Sequence, residues 1–175
     1  AFVEAFFAER KVRLAMINLH AIDIWQQLSV ILDGAMAAIL GSIIGWERDR
    51  AGKSAGPRTM ALVGSAAATV VAIGAILDVN AKFGDPTRAL HAIITGIGFL
   101  GAGLIFTDKS GGIQGVTTAA TIFATAAVGV CVGLGFQVVG VGFTIIILTV
   151  LRSTQFLEVA LRRAEEADEE DEPKK

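Results

Sequence analysis

The chain has 175 residues, of which 53% are hydrophobic and only 18% charged, with a mean hydropathy of +0.63. That is too little charge to cover a water-facing surface, so an ordinary soluble domain is excluded and a membrane-embedded chain is indicated. The formal charge of −2 hides an uneven layout: acids crowd into the stretch Glu165 to Glu172, and the rest is basic. Aromatic residues are sparse at 7%, and nothing points to a nucleic-acid partner.

In residues 1–27, Val3, Phe7, Leu14, Ile17 and Trp25 recur near helical spacing, while Glu4, Glu9, Arg10, Lys11 and Arg13 interrupt any spanning run. This predicts an amphipathic helix lying on the membrane surface; a mobile N-terminal arm is the blander alternative. The sequence starts at Ala1 rather than Met, which reads as processing or a missing start. No signal peptide with a small-residue cleavage site is expected.

Crossing the hydrocarbon takes about 20 mostly apolar residues. Five spans are expected, over residues 28–46, 58–77, 88–106, 116–134 and 136–151. Together they form an all-α integral membrane domain over residues 28–152. The gaps carry the breakers Gly56-Pro57, Asp85-Pro86 and Gly111-Gly112, and Gly133-Leu134-Gly135 joins the last two spans as a tight hairpin. Residues 153–175 are read as a charged, disordered tail. Lys and Arg residues fall ten on the side of the C-terminus and five on the other, predicting an outer N-terminus and a cytoplasmic C-terminus.

Lipid gives no hydrophobic drive between helices, so close packing relies on small residues. Gly41 and Gly45, and Gly129 and Gly133, stand four apart in two spans. The third span holds Gly96, Gly98, Gly101 and Gly103 within eight residues. Such a helix is expected to be enclosed by neighbours, or broken around a cavity.

Ionisable groups inside a span mark candidate sites. On the outer side these are Asp33 in the first span, and Arg88 and His91 one turn apart in the third. Asp33 could pair with either, as a structural ion pair or as a cation or proton site. On the inner side Glu47, Arg48, Asp49 and Arg50 end the first span, and Arg58 and Thr59 begin the second. Asp108 ends the third, and Gln114, Thr117 and Thr118 open the fourth. A polar network over Glu47, Arg48, Arg58, Thr59, Asp108, Thr117 and Thr118 is expected there, with Glu47 as the partner of Arg58. Cys131 reads as a packing residue rather than a reactive thiol. A two-histidine haem site from His20 and His91 is rejected, because His20 lies in the surface segment. No catalytic constellation stands out.

Five motifs carry a family resemblance. They are Gly41-x-x-x-Gly45-Trp46-Glu47-Arg48, Gly56-Pro57-Arg58-Thr59, Asp85-x-x-Arg88, Gly96-Ile97-Gly98-Phe99-Leu100-Gly101-Ala102-Gly103 and Gly115-Val116-Thr117-Thr118-Ala119-Ala120. In this order and spacing, over residues 33–135, the chain resembles the MgtC/SapB family of bacterial inner-membrane proteins. The resemblance implies a five-span domain with an outer N-terminus and no enzymatic activity. It also implies a link to low-magnesium adaptation, and the F-type ATP synthase as the partner inhibited. It implies no cofactor, and magnesium is the one metal it raises. Some members add a soluble ACT-like domain after the last span; an acidic tail is expected in its place here.

The function expected is that of a regulator or accessory subunit bound to another membrane complex. The alternatives are a small cation or proton transporter or channel, and a structural subunit of a large complex. A homo-oligomer is expected from the exposed glycine faces, and an organelle membrane is the alternative to the bacterial inner membrane.

Overall fold

The computed structural model describes residues 23–81, 87–108 and 111–170, with side chains over 23–77, 87–108 and 111–153. The expected surface helix therefore lies almost wholly outside the described residues. Its last residues, Ile24 to Gln27, are already part of the first spanning helix.

The described chain is all-α apart from one small hairpin. Helix α1 covers Ile24–Arg50, α2 Pro57–Ala81, α3 Thr87–Leu104, α4 Val116–Gly133 and α5 Gln137–Glu170. Strands β1 (Phe106–Thr107) and β2 (Ile113–Gln114) lie between α3 and α4. The first four helices are each long and apolar enough to cross a membrane, and α5 contributes the apolar stretch Gln137–Ser153.

The helix ends follow from glycine. At the end of α1, Gly52 has φ +67°; its N–H donates to the Asp49 carbonyl at 3.0 Å, and Lys53 N–H donates to the Arg48 carbonyl at 3.0 Å. At the end of α4, Gly135 has φ +84°; its N–H donates to Val132 at 2.9 Å, and Phe136 N–H donates to Cys131 at 2.8 Å. Both are Schellman closures, in which a left-handed glycine satisfies carbonyls that the helix leaves over. Lipid offers no water to do so.

Packing is organised along a seam of glycines through α1, α2 and α4. Gly41 meets the Met60 carbonyl, and Gly45 meets the backbone of Gly56 and Pro57. A Cβ at Gly64 would come within 2.8 Å of the Ala37 carbonyl oxygen. Gly129 lies on the Gly64 carbonyl and Gly133 on that of Ala68. Without side chains at these points the backbones approach closely, and dispersion replaces the missing hydrophobic drive. Ala37, Ile44, Ala68, Val128 and Val132 fill the core beside the seam. Helix α5 joins through Gly140, which lies against the Val132 side chain.

Helix α3 departs from the expectation. It is neither broken nor enclosed, and none of its residues is buried. It packs on α4, where Gly101 faces the Ala119 methyl, and more lightly on α2, where Ala89 meets Gly74. Nothing lies within 4 Å of where a Cβ would stand at Gly96, Gly98 or Gly103.

Two further differences concern the boundaries. The third span stops at Leu104 and the chain turns extended, because Gly115, at φ +88°, lies on the Leu104 carbonyl and draws β2 back onto β1. Helix α5 runs on as backbone to Glu170, through the stretch read from sequence as a disordered tail. Residues 157–170 consist mainly of Leu, Ala, Arg and Glu, which are strong helix formers.

Candidate functional site

The inner end of the bundle gathers the buried charges. The last turn of α1 points Glu47 and Arg48 into the protein, where they are 7% and 2% exposed. Arg48 Nη2 donates to Thr118 Oγ1 of α4 at 3.4 Å, and Thr118 is itself buried. Glu47 and Arg48 are consecutive in the last turn of α1, so a carboxylate and a guanidinium are buried side by side. Arg48 Nε has no hydrogen-bond partner among the described residues. A buried charge is tolerated only when it is paired and bonded, so Glu47, Arg48 and Thr118 form one interdependent group.

Thr118 begins a hydroxyl stripe along α4. Thr121 donates to the Thr117 carbonyl at 2.7 Å and Thr125 to that of Thr121 at 2.8 Å. Thr125 is fully buried and also lies 3.4 Å from the Met60 sulfur. The stripe carries polar side chains into the membrane interior, with the Thr121 and Thr125 hydroxyls satisfied by carbonyls of their own helix.

The other residues expected in this network lie apart from it. Arg58, Thr59, Thr117 and Asp108 are exposed. The Asp108 backbone closes the β-hairpin: its N–H donates to Gly112 at 2.8 Å, and its carbonyl accepts from Gly111 at 2.9 Å. Arg58 sits on the first turn of α2, outside the buried group.

Beside Glu47 a cleft of about 480 Å³ opens between α1 and α5, lined by Ile43, Trp46, Glu47, Arg50, Leu148 and Arg152. The Arg50 guanidinium stacks over the Trp46 ring, 5.5 Å from its centroid. Sequence reasoning missed this cleft, because α1 and α5 are far apart in the chain. The signal for it was the arrival of Arg50 and Arg152 at the ends of two apolar runs.

At the outer end, Asp33 is half-buried, and Gln137 Nε2 donates to its Oδ1 at 3.4 Å. Gln137 was not foreseen. It arrives because Gly135 folds α5 back onto α4, where its first turns reach α1. Arg88 and His91 are exposed on α3, which packs on α4 and α2, so the structure does not bring them to Asp33. Cys131 lines an apolar cleft between α3 and α4 with Ile94, Ile97 and Phe123. Among the described residues, no three His, Cys, Asp or Glu side chains gather in a way that could hold a metal ion.

The profile of the MgtC family matches residues 35–160. "Protein MgtC" of Brucella abortus (strain 2308) is 41% identical over 134 residues, covering 74% of this chain and 55% of the relative. "Protein SrpB" of Synechococcus elongatus is 39% identical over 144 residues, covering 75% of this chain and 78% of the relative. "Putative magnesium transporter YhiD" of Escherichia coli (strain K12) is 37% identical over 121 residues, covering 66% and 56%. The chain spans about half the length of most of the curated relatives it matches. No solved structure matches it significantly.

Proposed function

The chain belongs to the MgtC family, and we propose that it is a non-enzymatic membrane regulator that docks onto another membrane complex through α3. The exposed side of that helix around Phe99, flanked by open glycines, carries the reading. Elsewhere in the bundle glycines serve close backbone approach. On α3, nothing lies within 4 Å of where a Cβ would stand at Gly96, Gly98 or Gly103, and Phe99, which lies between Gly98 and Gly103 around the helix, is 80% exposed. Small residues ranged along an apolar helix suit the approach of a second helix. The family resemblance makes the F-type ATP synthase of a bacterial inner membrane the first partner to test, with α5 ending on the cytoplasmic side. A second copy of the chain is the competing occupant of the face.

The test is ATP hydrolysis and acidification by inverted vesicles holding the synthase, with and without this protein. A fall in both is the expected result. Unchanged rates would reject the synthase as partner. Gly98→Leu is the matching variant: a side chain there meets open space in the single chain, so the fold survives and the inhibition should be lost.

Ion transport is the second reading, favoured by Glu47, a carboxylate lining the inner cleft, and by the printed name of the Escherichia coli relative. Under it, acidification falls while hydrolysis holds or rises, and Glu47→Gln removes the leak.

A further inference from the structure

We infer that the cleft between the end of α1 and the middle of α5 binds the headgroup of an anionic phospholipid, with Arg50 and Arg152 on its phosphate. The argument stands apart from the choice of protein partner.

The two arginines close two apolar runs. The first is the body of α1, ending at Trp46, and the second is the Gln137–Ser153 stretch of α5. They therefore sit together at one boundary of the hydrocarbon, on the wall of one cleft of about 480 Å³. Both are exposed, and neither forms an ion pair with an acid among the described residues. A guanidinium offers two parallel donors that match a phosphate. The stacking of Arg50 on Trp46 holds it at the headgroup level, where tryptophan itself is favoured, and leaves its N–H edge available.

The one carboxylate on the wall, Glu47, would repel an anion. It is 7% exposed and lies beside the buried Arg48, whose charge offsets it. The lining thus keeps a net positive character from the two arginines. A soluble phosphate would satisfy the arginines alone. The same cleft is also lined by Ile43 and Leu148, and Ile43 is 46% exposed on the hydrocarbon side of Trp46. An acyl chain covers that apolar wall and a free anion does not, which decides for the lipid. Basic clefts at the cytoplasmic ends of spanning helices recognise headgroups in this way.

The test is native mass spectrometry of the full chain in detergent, titrated with phosphatidylglycerol, phosphatidylcholine or inorganic phosphate. The expected result is preferential retention of phosphatidylglycerol, with Arg50→Gln and Arg152→Gln each reducing the preference roughly fivefold. Arg58→Gln, an exposed charge outside the cleft, should leave it unchanged. Equal retention of both lipids would overturn the site. So would an equal loss in the Arg58 variant, which would mean diffuse attraction. Competition by inorganic phosphate at equal concentration would overturn the lipid as its occupant. All three arginines are exposed, so the variants fold, and each spectrum reports the folded chain directly.

Discussion

The seam through α1, α2 and α4 and the face of α3 are built from the same residue and put it to opposite use. Gly41, Gly45, Gly64, Gly129 and Gly133 each lie against a neighbouring backbone, where a Cβ could not fit. Gly96, Gly98 and Gly103 lie against nothing. The first set holds the bundle together from inside. The second leaves one side of α3 open to a further neighbour, while its other side packs on α4 and α2. A glycine string in a membrane helix therefore marks a contact, and the fold decides whether that contact is internal.

Substitutions separate the two regions. Gly129→Leu should abolish the folded monomer, because the new side chain collides with the Gly64 carbonyl, a backbone group that cannot yield. A monodisperse, thermally stable Gly129→Leu protein would break the distinction.

The next effect is at the buried charges below the seam. Arg48→Met leaves the Glu47 carboxylate buried beside an apolar side chain, at a cost of about 3–5 kcal/mol. The double variant Arg48→Met/Glu47→Gln should recover most of that loss. Thermal midpoints of the wild type, the two single variants and the double variant in one detergent check this, and additive losses would contradict it.

At the outer end, Gln137→Leu removes the donor to a half-buried carboxylate and should cost about 1–3 kcal/mol. Arg88→Gln and His91→Gln, both exposed on α3, should shift the midpoint little, and a larger shift than that of Gln137→Leu would reverse the assignment.

The smallest effect on stability is on α3 itself. Gly98→Leu should change the unfolding free energy by no more than about 1 kcal/mol, and in the stabilising direction, because leucine is the better helix former. Only docking should suffer. Destabilisation comparable to that at Gly129 would show that α3 is enclosed after all.

Much of the fold was legible in the sequence. The five spans follow from apolar length, and the breakers Gly56-Pro57 and Gly133-Leu134-Gly135 stand where α2 begins and α4 turns into α5. The seam was legible in part: Gly41, Gly45, Gly129 and Gly133 stood out by spacing, whereas Gly64, which joins them, has no second glycine four residues away, only Ala68. The outward face of α3 was not legible, because spacing records which residues share a face and not what that face meets. The hairpin at Phe106–Thr107 and Ile113–Gln114 escaped because two-residue strands carry no periodicity. Of the inner polar cluster, Glu47, Arg48 and Thr118 come together. Sequence placed all seven residues at one membrane end, but burial depends on the rotation of each helix, which a few polar residues at a helix terminus do not specify. Gln137 was hidden for a related reason: a glutamine at a helix start looks like a surface residue until α1 is packed beside it.

The most direct test of the central claim is photo-crosslinking from position 99 in native membranes, with a photoreactive residue in place of Phe99 and another in place of the buried Val128 as the internal reference. The account predicts that position 99 crosslinks to a subunit of a different membrane complex, while position 128 reacts only within its own chain. Crosslinks from position 99 to lipid alone, or to a second copy of this chain alone, would contradict it.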